Sequence, residues 1–174
     1  MHSLGVGRLI QRPAGRSRGV LAKFTYASRG IAHTWGTQVN FRFQVLIGYL
    51  ALAGGWLLRL PAWQMGGILF FTSLVLAAEV FNTAVEAVVD LVVGDEYRRL
   101  AGVAKDVAAG AVMVTAAAAF LFGLLVYPPR LSRLPLLLST RWRENPELLV
   151  LASIVGGLLL ILVLAACGKE GGAK

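Results

Sequence analysis

Hydrophobic and polar positions divide this chain into apolar stretches long enough to meet lipid as helices. Phe43 to Leu58 is apolar and bounded by Arg42 and Arg59. It is short for a span, so its arginines must snorkel or adjacent residues must extend it. Ala62 to Val93 follows Pro61, a residue suited to a helix start. Val107 to Tyr127 is long enough to cross, and Pro128-Pro129 ends it. Leu148 to Cys167 carries no charge. A hydrocarbon core of about 30 Å needs roughly 20 apolar residues per helix, so all these stretches are expected to cross. Ahead of them, Leu21 to Gln38 mixes Phe24, Tyr26, Ile31 and Trp35 with Lys23, Arg29 and His33. That mixture predicts an amphipathic helix lying in the membrane interface. The expected fold class is an all-α membrane protein: an N-terminal interfacial helix, a three-span core and a fourth, C-terminal transmembrane helix. Its segments are a basic, disordered 1–19, a core over 20–128, an Arg-rich loop over 129–147, the extra span over 148–167 and a tail over 168–174.

Composition agrees with the bilayer as solvent. The chain is 57% hydrophobic, with a mean hydropathy of +0.70. The single cysteine, Cys167, excludes an intrachain disulfide or a cysteine metal site and reads as an inert, buried thiol.

Charge adds a direction. The formal net charge is +8, and no Asp or Glu precedes Glu79. Arg8, Arg12, Arg16, Arg18, Lys23, Arg29 and Arg42 all lie before the first long apolar stretch. Such a flank fits a cytoplasmic N-terminus at anionic lipid. Being Arg-rich and acid-free, it also fits an organelle transit peptide. Nucleic acid is the other usual partner of a basic segment, but this one leads directly into spans. With the N-terminus inside, Arg59 to Trp63 is an external turn and Gly94 to Lys105 a cytoplasmic loop. Pro128 to Pro146 then falls outside, although Arg130, Arg133, Arg141 and Arg143 break the positive-inside rule. The larger N-terminal bias is expected to decide. Trp35, Trp56, Trp63 and Trp142 sit near span ends, as interfacial anchors do.

Candidate chemistry lies on the second span. Glu79, Asn82, Glu86 and Asp90 are spaced three, four and four residues apart. At about 100° per residue they share an arc of roughly 80°, with Thr83 beside them. Counting from Pro61 at about 1.5 Å per residue, Glu79 lies ~27 Å along the helix, Glu86 ~37 Å and Asp90 ~43 Å. The stripe therefore begins near the inner edge of the core and continues into the headgroup zone. Polar residues in spans are costly and mark function. Clustered carboxylates with an amide suit Mg²⁺ shared with phosphates, and a carboxylate can instead take a proton from a hydroxyl. Lys105 and Asp106 are expected to start the third span on the same side, where lysine can neutralise nucleotide phosphates. The bland alternative is a stripe that only glues helices together through hydrogen bonds.

The runs Glu79-Val80-Phe81-Asn82-Thr83-Ala84-Val85-Glu86-Ala87-Val88-Val89-Asp90 and Ala104-Lys105-Asp106-Val107-Ala108-Ala109-Gly110-Ala111 resemble the signatures of the prokaryotic diacylglycerol kinase and undecaprenol kinase family. Phe24-Thr25-Tyr26-Ala27 with Gly30-Ile31, and Asn40-Phe41-Arg42, resemble that family's N-terminal elements, so the likeness covers about 20–128. It implies a homotrimeric three-span kinase in the cell membrane that moves the γ-phosphate of ATP, with Mg²⁺, to a lipid alcohol. Active sites would be shared between neighbouring subunits at the cytosolic face. By resemblance Glu86 is the catalytic base and a metal ligand, with Asn82 and Asp90 around it. Glu79 and Asn82 are implied on the lipid side. Tyr26, Glu86, Asp90, Lys105 and Asp106 are implied on the nucleotide side. Where the family has a metal-binding Glu, this chain has Gln38, which can ligate Mg²⁺ only through a neutral amide oxygen. Undecaprenol is the preferred acceptor and diacylglycerol the second; the alternative is a non-catalytic assembly protein.

Overall fold

The computed structural model describes residues 19–94 and 98–171. The expected disordered segment over 1–19 lies almost wholly outside them. Among the described residues there is no strand, and the elements are α1 (Val20–Thr37), α2 (Val39–Leu57), α3 (Ala62–Val93), α4 (Arg99–Val126), α5 (Pro128–Leu131), α6 (Leu134–Glu144) and α7 (Pro146–Gly171). This is an all-α, multi-pass membrane protein. Among the described residues, three helices are long and apolar enough to cross: α3, α4 and Pro146–Gly168 of α7. The expected first span lies in α2, which also takes in the polar Asn40, Arg42 and Gln44.

Only Gln38 separates α1 from α2, and its backbone is extended (φ −111°, ψ 109°). Thr34 and Thr37 return their hydroxyls to the carbonyls of Gly30 and His33, a local bond that bends helices. The chain corners there. On α1, Val20, Leu21, Phe24 and Ile31 are exposed while Thr34 is buried. An apolar face without cover in a membrane protein suits the interface that sequence predicts.

The far end of α2 closes tightly. Leu60 N–H reaches Gly55 O at 3.0 Å and Arg59 N–H reaches Trp56 O at 3.2 Å, with Arg59 left-handed at φ 53°. This pairing is a Schellman cap, a position that glycine usually fills. Arginine there is strained, and its neighbours compensate. Arg59 pairs with Glu144, Arg130 donates to Arg59 O at 3.1 Å and Arg141 to Trp56 O at 2.9 Å. The Arg141 guanidinium also lies 4.5 Å from the Trp56 ring centre. The basic charges that break the topology rule are therefore spent, in part, on α2's terminal carbonyls and negative dipole end.

Core packing concentrates at this end. Leu58, Leu60, Ile68 and Val126 are buried together, with Leu134 and Leu137 of α6 against them. Tyr127 donates its phenol to Ala51 O. Beyond the core, α7 packs along α2, where Tyr49 donates to Ala152 O and its ring lies over Gly156.

Sequence and structure differ at four boundaries. α4 begins at Arg99, so the loop expected over Gly94 to Lys105 is shorter and Lys105 ends the second turn instead of starting the helix. Pro128 does not begin a plain loop: proline is tolerated at a helix's first position, and here it opens α5. The stretch of 129–147 is largely helical, because Leu134 and Leu137 have a core to bury into. α7 runs to Gly171, past the expected Cys167, and Cys167 is only half-buried.

Candidate active site

At the other end of the bundle lie the α1–α2 corner, the last turns of α3 and the first turns of α4. The polar stripe of α3 faces all of them. Glu79 is 2% exposed and accepts from Gln44 Nε2 of α2 at 3.2 Å. Glu86 is half-buried, and each of its oxygens accepts from an amide. Asn82 Nδ2 donates to one at 2.9 Å, and Gln38 Nε2, at the corner, donates to the other at 3.0 Å. Asp90 is exposed and pairs with Lys105 of α4 at 2.6 Å. Burial thus falls along the stripe from Glu79 to Asp90. Thr83 is buried and bonds to Glu79 O at 2.9 Å.

The structure joins Gln38, Asn82 and Glu86 directly, and joins Asp90 to Lys105. It does not gather every predicted residue. Asp106 is exposed on α4. Tyr26 is exposed on α1 with the Arg29 guanidinium 5.8 Å from its ring. It stands ~18 Å along the helix axis from Gln38, at about 1.5 Å per residue.

Two side chains were overlooked from sequence as site residues. Gln44 holds Glu79. Arg42, only 1% exposed, donates from Nε to Gln38 O at 3.3 Å and braces the corner residue that reaches Glu86. Their signal was available: Gln38, Arg42 and Gln44 interrupt the apolar head of α2, and buried polar groups need partners.

Whether a divalent cation fits depends on the donor oxygens. Among the described residues no three His, Cys, Asp or Glu side chains form a metal cage. Asn82 Oδ1, beside Glu86, is buried and unpaired. One carboxylate with one free amide oxygen is a poor site for Ca²⁺, but it fits Mg²⁺ that takes its other ligands from phosphates and water.

Fold and site together define a helical membrane protein with a carboxylate–amide site in the C-terminal half of α3, the longest of the described helices. The sequence profile of the family described as prokaryotic diacylglycerol kinase matches residues 25–127, more than half the chain. The chain belongs to that family. It is 42% identical over 114 residues to a diacylglycerol kinase of Synechocystis sp., covering 65% of each chain. It is 38% identical over 108 residues to the undecaprenol kinase of Bacillus subtilis, covering 62% of this chain and 87% of the relative. A diacylglycerol kinase of Escherichia coli is 33% identical over 89 residues, 51% of this chain and 72% of its own. The match thus spans just under two thirds of the Synechocystis relative's length. No solved structure matches the chain significantly. All three matches are shorter than the 174-residue chain, and the family match ends at Tyr127, before α5, α6 and α7.

Proposed function

We propose that this chain transfers the γ-phosphoryl group of ATP to the hydroxyl of a membrane lipid at the cytosolic face of the plasma membrane. Undecaprenol is the first acceptor and diacylglycerol the second. The observation that carries this reading is Glu86, a carboxylate held in the last turns of α3 by amides from two segments. Family membership supports it.

In the transfer, the lipid O–H gives its proton to a carboxylate. Its oxygen bonds to the γ-phosphorus, the bond from that phosphorus to the β–γ bridging oxygen breaks, and ADP leaves. Glu86 takes the proton. Glu79 and Asn82 hold the lipid head, while Asp90, Lys105, Asp106 and Tyr26 serve the nucleotide. Mg²⁺, when bound, neutralises phosphate charge, and Glu86 and Asn82 Oδ1 are the oxygens to hold it, with Gln38 adding at most a neutral ligand. The N-terminus is cytosolic. Tyr26 and Asp106 reach the stripe of a neighbouring copy in a homotrimer, which accounts for their exposure in one chain.

One observation favours a second assignment of the base. Gln44 both holds Glu79 and lines an apolar cavity, so a lipid hydroxyl arriving through that cavity meets Glu79 first. Phosphorylation of each lipid by labelled ATP in mixed micelles tests the kinase reading. No transfer to either lipid by folded protein would leave a non-catalytic assembly protein. Glu86→Gln and Glu79→Gln then separate the roles. With Glu86 as both base and cation ligand, Glu86→Gln loses turnover by about 10²-fold or more and also shifts its Mg²⁺ titration, while Glu79→Gln raises the KM for lipid. Loss of turnover in Glu79→Gln at unchanged Mg²⁺ dependence, with only a shifted Mg²⁺ titration in Glu86→Gln, makes Glu79 the base instead.

A further inference from the structure

Of the arginines after α4 that break the topology rule, the fold uses Arg130 and Arg141, which donate to carbonyls at the end of α2. Arg133 and Arg143 are exposed, and neither side chain meets an acid or a carbonyl among the described residues. Glu144, the acid next to Arg143, is held by Arg59 instead. Glu147 sits in the first turn of α7, where the helix dipole favours a carboxylate. Positive charge is therefore in excess at this end, with Arg59 and the arginines of 130–143 set against Glu144 and Glu147.

Beside Arg143 lies a groove. Leu138 and Trp142 of α6 face Leu149, Val150, Ser153 and Ile154 of α7 across a space of about 520 Å³. The lining is apolar but for the Trp142 indole and the Ser153 hydroxyl, and that hydroxyl is spent on Leu149 O at 2.8 Å. Leu138, Trp142, Val150 and Ile154 stay exposed, so no described part of the chain fills the groove. Arg143 lies about 100° round α6 from Trp142, and its long stem can carry the guanidinium to the groove's mouth. Depth agrees. No charge falls between Leu148 and Cys167, so the groove begins where the charged end of the chain meets hydrocarbon. Trp142 at its rim suits that boundary.

A slot running from the interface into hydrocarbon suits an acyl chain. A free guanidinium at its mouth suits a phosphate, which arginine grips with paired N–H groups. A zwitterionic lipid brings its own cation to that phosphate, and the surplus of arginine then repels it. A lipid of net negative headgroup has no such cost. We propose that the α6–α7 groove binds an anionic phospholipid, its acyl chain along Leu149, Val150 and Ile154 and its phosphate on Arg143. Phosphoryl transfer plays no part in this, and the groove lies at the end of the bundle opposite Glu86.

Trp142 reports on the groove. The full chain is placed in vesicles of dioleoylphosphatidylcholine containing a minor share of lipid with brominated chains, headed by either phosphatidylglycerol or phosphatidylcholine. Bromine quenches tryptophan on contact, and the part of the quenching that Trp142→Phe removes belongs to Trp142. Brominated phosphatidylglycerol is expected to take the groove about fivefold more strongly than brominated phosphatidylcholine, the worth of one arginine at an anionic lipid. In Arg143→Gln that ratio falls to about one, and Arg143→Met serves if the glutamine variant does not fold. Ser153→Phe, which fills the groove, removes the preference with Arg143 still in place. Arg133→Gln, ~15 Å away along α6 at about 1.5 Å per residue, leaves it unchanged. Equal quenching by the two lipids overturns the proposal, as does a ratio that survives loss of Arg143 or filling of the groove in folded protein. So does an equal loss in Arg133→Gln, which would mean a diffuse field, or no quenching of Trp142 by either lipid, as when a second copy covers the groove.

Discussion

Gln38 shows how much one side chain can decide. It is the single non-helical residue between α1 and α2, and its amide donates to Glu86. A glutamate there could not donate. It would instead place a second negative charge beside Glu86 and, without a cation, repel it. With Mg²⁺ present the same pair would be a stronger ligand set. Gln38→Glu is therefore expected to lower the Mg²⁺ concentration for half-maximal transfer, and to lower the melting temperature in chelator. A Mg²⁺ titration of activity and a melt with and without chelator check both. The stripe's spacing was legible in sequence because helical periodicity is local. Asn82 lies four residues from Glu86, but the other partners were not legible, since Gln38, Gln44 and Lys105 lie 48, 35 and 15 residues from the groups they bind. The Asp90–Lys105 pair is solvent-exposed and contributes little to stability.

Helices approach closely in this bundle at positions where only glycine fits. A Cβ on Gly48 of α2 would lie 2.3 Å from the Thr72 methyl of α3. Small residues at crossings let apolar helices pack without a hydrophobic drive between them. Gly48→Ala should destabilise the chain by about 1–3 kcal/mol, as overpacking does. Thr72→Ser, which deletes the offending methyl, should restore most of that loss. Paired thermal melts in detergent measure it, and failure of the second change to rescue the first would place the strain elsewhere. At this scale the long apolar elements were readable, with α3 matching its expected bounds throughout. The short ones were not. α6 packs here because Leu134 and Leu137 find the core under α2's cap, which no local pattern announces.

Across the whole molecule, site and core occupy opposite ends. The residues given roles at the site, Tyr26 to Asp106, fall within the family match, whereas α7 lies beyond it and packs along α2. Deleting 146–174 should therefore leave lipid phosphorylation per folded molecule within a few-fold while lowering the melting temperature. Loss of all activity from a folded truncation would give α7 a role at the site. What the sequence determined alone is what local chemistry determines: apolar length, helical period, the acid–amide stripe and its depth on α3. Only the tertiary structure decided which amide meets which carboxylate, that arginines following α4 cap α2, and that Gln44 both holds Glu79 and lines an apolar cavity. These depend on where separate helices cross, and crossing is set by packing between residues far apart in the chain.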